Sequence, residues 1–235
     1  MILIYPDRLS SVVADSEDGS FPATNLQNDK PKRYWKSSGS NIGVLTATVS
    51  GYSDQIGIFN TNAESVAIDI ESGTETFNID LTSPHDHNRC WQSYTEQTAT
   101  HTVEITLTAP VGSAVYAGCL KIGDGVTIAN PQYGISESRR DFSIVKELNN
   151  GAYYIRKKDS VRTFDVSFIE DRATDYYLFT QIADYYGPNP LAILLVDNSD
   201  DDHEWAIFGH ILSPFSASHS NLDHSGVGFS IVEAV

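Results

Sequence analysis

His85-Asp86-His87 is the most chemical-looking cluster of this chain. Two imidazoles and a carboxylate are a donor set that zinc accepts, and Cys90 nearby adds a soft ligand. Residues two apart share a face only on an extended strand. Pro84 and Asn88 mark the stretch as a turn, so a polar loop tip competes with the metal reading. Asp200-Asp201-Asp202-His203-Glu204 offers carboxylates for calcium, which needs several oxygens converging on one point. The run lacks the alternating Asp-x-Asp spacing of a calcium loop and reads as a solvated hairpin tip. Arg156, Lys157 and Lys158, with Arg162, form a basic cluster around Asp159-Ser160. It reads as a hairpin turn, either plainly solvated or paired with acidic surface on a neighbouring subunit.

Linear signatures of catalysis are missing. There is no Gly-x-Ser-x-Gly elbow, no His-Glu-x-x-His, no phosphate-cradling Gly-x-x-x-x-Gly-Lys loop and no Cys-x-x-Cys. Gly134-Ile-Ser-Glu-Ser138 comes nearest to an elbow but lacks its second glycine. Nothing in the sequence requires a cofactor, and the expectation is a protein that binds or builds rather than catalyses. A glycan hydrolase, which needs paired carboxylates across a cleft, ranks last.

Aromatic residues carry the stronger signal. Tyr34, Trp35, Trp91 and Tyr94 lie in or beside loop-like segments. Such rings stack on sugar faces and anchor protein interfaces. Alternatively, they seal the end of a sandwich from inside. Tyr176, Tyr177, Tyr185 and Tyr186 cluster on one predicted helix, more rings than a single buried stripe uses, and that surplus suits an interface.

Composition bounds these readings. The chain has 235 residues, 15 Lys+Arg and 31 Asp+Glu, a formal charge of −16. That balance opposes a nucleic-acid surface and docking on an anionic membrane, both of which need a basic footprint. At 40% hydrophobic and 20% charged, the chain has material for a packed core. No run approaches the roughly 18 apolar residues of a membrane span. The opening Met-Ile-Leu-Ile-Tyr lacks the basic start of a signal peptide and reads as a strand. Cys90 and Cys119 are too few for a disulfide scaffold and are expected as half-buried free thiols, with a disulfide the alternative.

The elements that must position these residues are mostly strands. Ser65–Ile70, Thr76–Leu81 and Thr102–Thr108 alternate apolar and polar residues. Val44–Val49, Gln55–Phe59 and Val115–Ile122 add three more. Short strands near ten residues apart suggest an antiparallel sandwich or barrel over residues 1–130. Gly123–Arg140 is rich in Gly, Asn, Pro and Ser and reads as a linker or crossing segment. Residues 131–235 then read as a small α+β domain. Strands are expected at Ala152–Ile155, Val161–Ile169, Leu191–Val196, Glu204–Ile211 and Gly226–Glu233. One helix is expected over Asp171–Tyr186, capped by Asp171 or Thr174 and stopped at Gly187-Pro188. The charge divides evenly, with 7 basic and 15 acidic residues in 1–135 and 8 and 16 in 136–235. Neither half is a basic arm or an acidic tail.

Phe21-Pro-Ala-Thr-Asn-Leu26, followed by Asp29 to Ser38 with Tyr34-Trp35, resembles the opening of discoidin-like, galactose-binding-type jelly rolls. Ile56 to Ala63 and the strand Ser65–Ile70 fit the same plan. Gly118 to Gly123, Asn130 to Gly134 and the ending Phe229-Ser-Ile-Val-Glu233 look similar to distal tail and tail-tip proteins of long-tailed bacteriophages. The resemblance implies a virion protein made in the host cytoplasm, forming a ring, by resemblance a hexamer, that joins the tail tube to the tip complex. Its partners would be other copies and other tail proteins, with DNA passing nearby. Acidic walls would then repel the passing phosphates. The alternative is a module recognising host surface glycan through Tyr34, Trp35, Arg89 and Trp91, which requires Trp35 or Trp91 to be exposed. Tyr176, Tyr177, Tyr185, Arg156, Lys157 and Lys158 are the expected interface residues.

Overall fold

The computed structural model describes residues 1–71, 73–82, 88–128, 135–147, 152–158, 160–171, 175–196, 202–218 and 224–234. The strands run in chain order from β1 (Ile2–Asp7), β2 (Leu9–Ala14), β3 (Trp35–Lys36), β4 (Ile42–Val49) and β5 (Ser53–Thr61). Next come β6 (Ser65–Ile70), β7 (Glu75–Asp80), β8 (Arg89–Gln97), β9 (His101–Thr108) and β10 (Tyr116–Thr127). Then follow β11 (Ser136–Asp141), β12 (Ile144–Glu147), β13 (Tyr153–Arg156), β14 (Ser160–Asp171) and helix α1 (Asp175–Tyr186). The chain closes with β15 (Leu191–Leu194), the short helix α2 (Asp202–Trp205), β16 (Ala206–Ser218) and β17 (His224–Glu233). The protein is mainly β, and its sheets are antiparallel.

The chain divides into two units. The first holds Met1–Asn130 and Asn189–Phe208, the second Pro131–Pro188 and Gly209–Ala234. Residues 189–208 therefore return to the first unit, although they lie in the stretch 131–235 that the linear reading keeps together.

The first unit is a jelly-roll-like sandwich. One sheet has the order β2-β4-β9-β6-β7. Its alternating strands put Leu45, Ala47 and Val49, then Val103, Ile105 and Leu107, then Val66, Ile68 and Ile70 on the inner face, all buried. Register makes these rows continuous, since Leu45 and Ile68 both pair with Ile105, and Ile68 pairs with Phe77. The facing sheet runs β15-β1-β10-β5-β8, with β3 beside the start of β10. Ile56 and Ile58 of β5, Cys90 and Tyr94 of β8, and Leu120 and Ile122 of β10 complete the core. Full burial of each such aliphatic side chain is worth about 1.5–3 kcal/mol.

The second sheet is buried on both faces. The other face of β5 and β8 carries Gln55, Gly57 and Phe59, then Arg89 and Trp91, all buried or, for Gly57, closely covered. Two-sided burial replaces clean alternation by a near-continuous apolar run, as in Ile56-Gly-Ile-Phe59 and Gly118-Cys-Leu-Lys-Ile122. Cover comes from residues 202–208, where Ala206 to Phe208 are buried and Phe208 lies on Phe59, while Leu191–Leu194 extend the sheet beside β1 as β15.

The second unit pairs β11, β14, β17 and β16 in that order, with α1 against β14. Phe164, Val166 and Phe168 are buried as the alternation predicts, and Phe168 meets Phe229 edge-on at 5.7 Å. Among the described side chains of α1, Ile182 is buried, and Leu178 and Tyr186 are half-buried. Gly187, at φ +53°, ends the helix in the left-handed conformation that glycine tolerates. β12 and β13 form a separate two-stranded hairpin.

Four expectations are corrected. Asp171 does not cap α1 but ends β14, paired with His224, and Thr174 lies outside the described residues. Gly123–Arg140 is not all linker. β10 continues to Thr127 against β1, and Ser136–Asp141 is a strand paired with β14. Residues 202–205 are helical, so the strand expected from Glu204 begins at Ala206. β2 and β8, unmarked in the linear reading, are full strands of the sandwich.

Candidate functional site

The four residues named for ligand binding do not converge on an exposed platform. Trp35 is 0% exposed, and its Nε1 donates to the Ser16 carbonyl at 3.2 Å. Its ring lies over Gly43 so closely that a Cβ there would stand 2.4 Å from Cη2. Trp91 is 1% exposed, with Nε1 donating to Gln55 Oε1 at 3.0 Å. The expectation of an exposed Trp35 or Trp91 is therefore overturned, because apolar area of this size is worth most when removed from water. Arg89 is also buried and donates from a terminal nitrogen to the Ala206 carbonyl at 2.9 Å. That bond ties Ala206 to β8.

Tyr34 alone keeps partial exposure. It stacks on Phe21 at 4.7 Å with 5° between the planes, and Tyr116 leans on it at 5.2 Å. All three rings are half-buried. Burial, then the neighbouring Tyr34, pushes the Tyr116 hydroxyl above its ordinary pKa, so it stays a neutral donor and acceptor. Phe21 and Tyr116 escape a linear reading because the loop before β3 and the start of β10 meet only in three dimensions.

The face of β5, β8 and β10 toward Phe208 holds a second polar-aromatic group. Phe59 and Phe208 stack at 5.5 Å, and Lys121 Nζ stands 5.7 Å from the Phe208 centroid. Lys121 Nζ donates to Asp7 Oδ2 at 3.0 Å and Asp29 Oδ1 at 2.9 Å. Burial opposes this charge. Cys119, then Asp7 and Asp29, outweigh it and raise the lysine pKa. Cys119 beside it is a neutral thiol at pH 7, its pKa pushed up by burial to about 12, so at that pH the two carboxylates hold the ammonium.

Ser53, His101 and Tyr94 form the nearest thing to a nucleophile-base pair. His101 Nδ1 lies 3.1 Å from the Ala99 carbonyl, which can only accept, so Nδ1 donates. Nε2 then faces Ser53 Oγ at 3.2 Å, and Tyr94 Oη donates to the same Oγ at 2.6 Å. A serine nucleophile must also reach its substrate. Ser53, His101 and Tyr94 are all buried, so this network ties β5, β8 and β9 together.

The two cysteines are free and buried. His85, Asp86 and His87 lie outside the described residues, as do Asp200 and Asp201, while Asp202 opens α2. Among the described residues no three His, Cys, Asp or Glu gather as a metal site. No helix among them is long and apolar enough to cross a membrane.

The expected interface residues lie on the second unit. Tyr177 and Tyr185 are exposed on α1, and Tyr176 sits in its first turn. Arg156, Lys157 and Lys158 are exposed at the end of β13 and just beyond it. Arg162 parts from them, buried in β14 with Nε 3.0 Å from Glu137 Oε1 and its guanidinium over Phe164 at 4.6 Å. The strand residues beside these basic groups are exposed too, which the sequence reading does not anticipate. Val145 is 60% and Ile155 65% exposed, and Tyr153 and Tyr154 are exposed as well.

No family model matches this sequence, and no curated protein matches it. Solved structures resemble part of it. A chitosan-binding module from a chitosanase/glucanase of Paenibacillus sp. IK-5 is 14% identical at a TM-score of 0.40, covering 49% of this chain and 98% of that one. A fucose binding module of Streptococcus pneumoniae is 15% identical at 0.39, covering 52% and 97%. A chain in the structure of reduced XRCC1 bound to the catalytic domain of DNA polymerase beta is 14% identical at 0.41, covering 50% and 97%.

Proposed function

We propose that this protein is a non-catalytic structural subunit that assembles with copies of itself, and that its place is the tail tip of a long-tailed bacteriophage. The ring joining tube to tip, and its hexameric count, come from the resemblance of Gly118 to Gly123 and of the Phe229 to Glu233 ending to such tail proteins. The observation that carries self-assembly is the concentration of exposed apolar side chains on one unit. Ile144, Val145, Tyr153, Tyr154 and Ile155 of the hairpin are joined by Tyr177 and Tyr185 of α1. The five on the hairpin are contiguous across its two paired strands, and contiguous exposed apolar groups mark interaction surfaces. The charge of −16 supports a place near passing DNA without attachment to it. Light scattering and electron microscopy of the purified chain test this. Closed oligomers are expected. A monomer at high concentration, with no self-contact in assembled particles, would sink the proposal.

A second reading is favoured by one observation, the half-buried Phe21, Tyr34 and Tyr116 rings at the surface of the sandwich. Aromatic faces of this kind stack on sugar rings. The solved modules above are named for chitosan and fucose, and those sugars are the probes. Chemical-shift changes confined to residues around Tyr34, abolished by Tyr34→Ala, would establish the reading. No change at millimolar sugar would remove it.

A further inference from the structure

The hairpin β12–β13 is anomalous in three ways. Every described residue of both strands is exposed. Val145 pairs with Ile155 and Glu147 with Tyr153 on one face, while Ile144, Lys146, Tyr154 and Arg156 occupy the other. Both faces thus present apolar or aromatic groups to water. A two-stranded hairpin alone in water is marginal, and this one gains stability when its faces are covered.

The third anomaly is charge. Residues 139–158 hold six basic residues (Arg139, Arg140, Lys146, Arg156, Lys157, Lys158) and two acidic ones (Asp141, Glu147), a local +4. The remaining residues hold 9 basic and 29 acidic, or −20. Lys146 lies within the hairpin, Arg156 to Lys158 at its open end, and Arg139 and Arg140 on β11 just before it; the even division between halves conceals this local charge.

The sandwich carries the opposite surface. β2, β4, β9, β6 and β7 contain no lysine or arginine. Their outer face presents Asp69, Asp80 and Glu104 among threonines and serines. At the β6–β7–β9 end a hollow of about 470 Å³ is lined by Glu64, Asp80, Asn78, Thr106 and Thr108 among others.

We infer that the basic, apolar hairpin β12–β13 of one copy docks on the acidic outer face of the five-stranded sheet of a second copy, with Arg156, Lys157 and Lys158 toward Glu64 and Glu104. The inference rests on the assembly reading and deepens it by naming the two surfaces. Repeated head-to-tail, such a contact closes into a ring or extends as a filament; made reciprocally, it closes a two-fold dimer. Opposite fields of this size also speed encounter and make it salt-dependent.

Sedimentation of the full chain against concentration tests it, at about 0.05 M and about 0.5 M salt. Arg156→Glu/Lys157→Glu/Lys158→Glu should weaken association at least about tenfold at low salt. Combining it with Glu64→Lys/Glu104→Lys should restore association to within about threefold. All five positions are exposed, and a thermal melt checks that each variant folds. Val145→Ser/Ile155→Ser should weaken association at both salt levels. Association of the wild type that none of these variants changes would overturn the docking and leave the assembly reading standing. A wild type that stays monomeric at every concentration overturns both. Retention of the wild type on duplex DNA, lost in the charge-reversed variant and without self-association, would assign the basic residues to nucleic acid instead.

Discussion

The backbone N–H of Trp91 donates to Nδ1 of His203 at 3.1 Å, across 112 positions of chain. A β8 amide that would otherwise stand at a sheet edge is satisfied by the returning residues 189–208. Arg89, two residues earlier, reaches the Ala206 carbonyl from the same strand. The return is thus bonded to the sandwich at two points and packed on it through Phe208.

Removing that packing should be costly. Phe208 is 2% exposed and stacks on Phe59, so Phe208→Ala is expected to destabilise the chain by about 3–5 kcal/mol. His203→Ala leaves the Trp91 amide without its acceptor and should cost about 1–3 kcal/mol. Urea unfolding followed by tryptophan fluorescence measures both. Equal and negligible effects would mean that the return contributes nothing to the first unit.

Lys121 should make stability fall at alkaline pH. Its pKa is higher folded than unfolded, so the folded chain binds this proton more tightly. The contribution is complete below the unfolded value of about 10.5 and is lost as pH rises through the raised folded value. Lys121→Met should flatten that alkaline loss and cost about 1–2 kcal/mol at pH 7, because Asp7 and Asp29 remain partly hydrated without their partner. Melting temperature measured from pH 8 upward, in both proteins, decides this.

The thiols should be silent until the chain unfolds. Cys90 and Cys119 are buried and free, and a Cys119 pKa of about 12 leaves roughly one thiol in ten thousand ionised at pH 8. A chromogenic disulfide reagent should label neither in the native protein and both in denaturant without reductant. A single label, or none, in denaturant would mean that one or both thiols are already bonded.

Much of the sandwich is legible because one of its sheets has a single buried face. β6 and β9 alternate cleanly, and their inner residues are those the pattern selects. Phe164, Val166 and Phe168 of β14 follow the same rule. β5 and β10 break it, since both faces of these strands are covered. That run of Ile, Gly, Phe, Cys and Leu is the one sequence sign of a third layer. The helix reading succeeds at its C-terminus, where Gly187 supplies the left-handed turn, and fails at its start, where Asp171 extends a strand.

The candidate site was much less legible. Tyr34, Trp35 and Trp91 look alike in sequence, as aromatics beside loops, yet only Tyr34 keeps an exposed edge. Arg156, Lys157 and Lys158 read as a hairpin turn, but β13 pairs with β12 and β14 with β11 and β17, so they end a strand instead, and nothing local tells that the β12–β13 hairpin leaves both faces open.

From the sequence alone follow a mainly β chain, an antiparallel sandwich, a later unit with one helix, and an acidic surface, because strand period, turn residues and charge are local properties. Tertiary structure alone decided that residues 189–208 return to the sandwich, that Trp35, Arg89 and Trp91 are buried, and that the basic residues stand at the open end of an exposed hairpin. These depend on which distant segments remove a face from water, and burial is a property of the pair of surfaces, not of either segment.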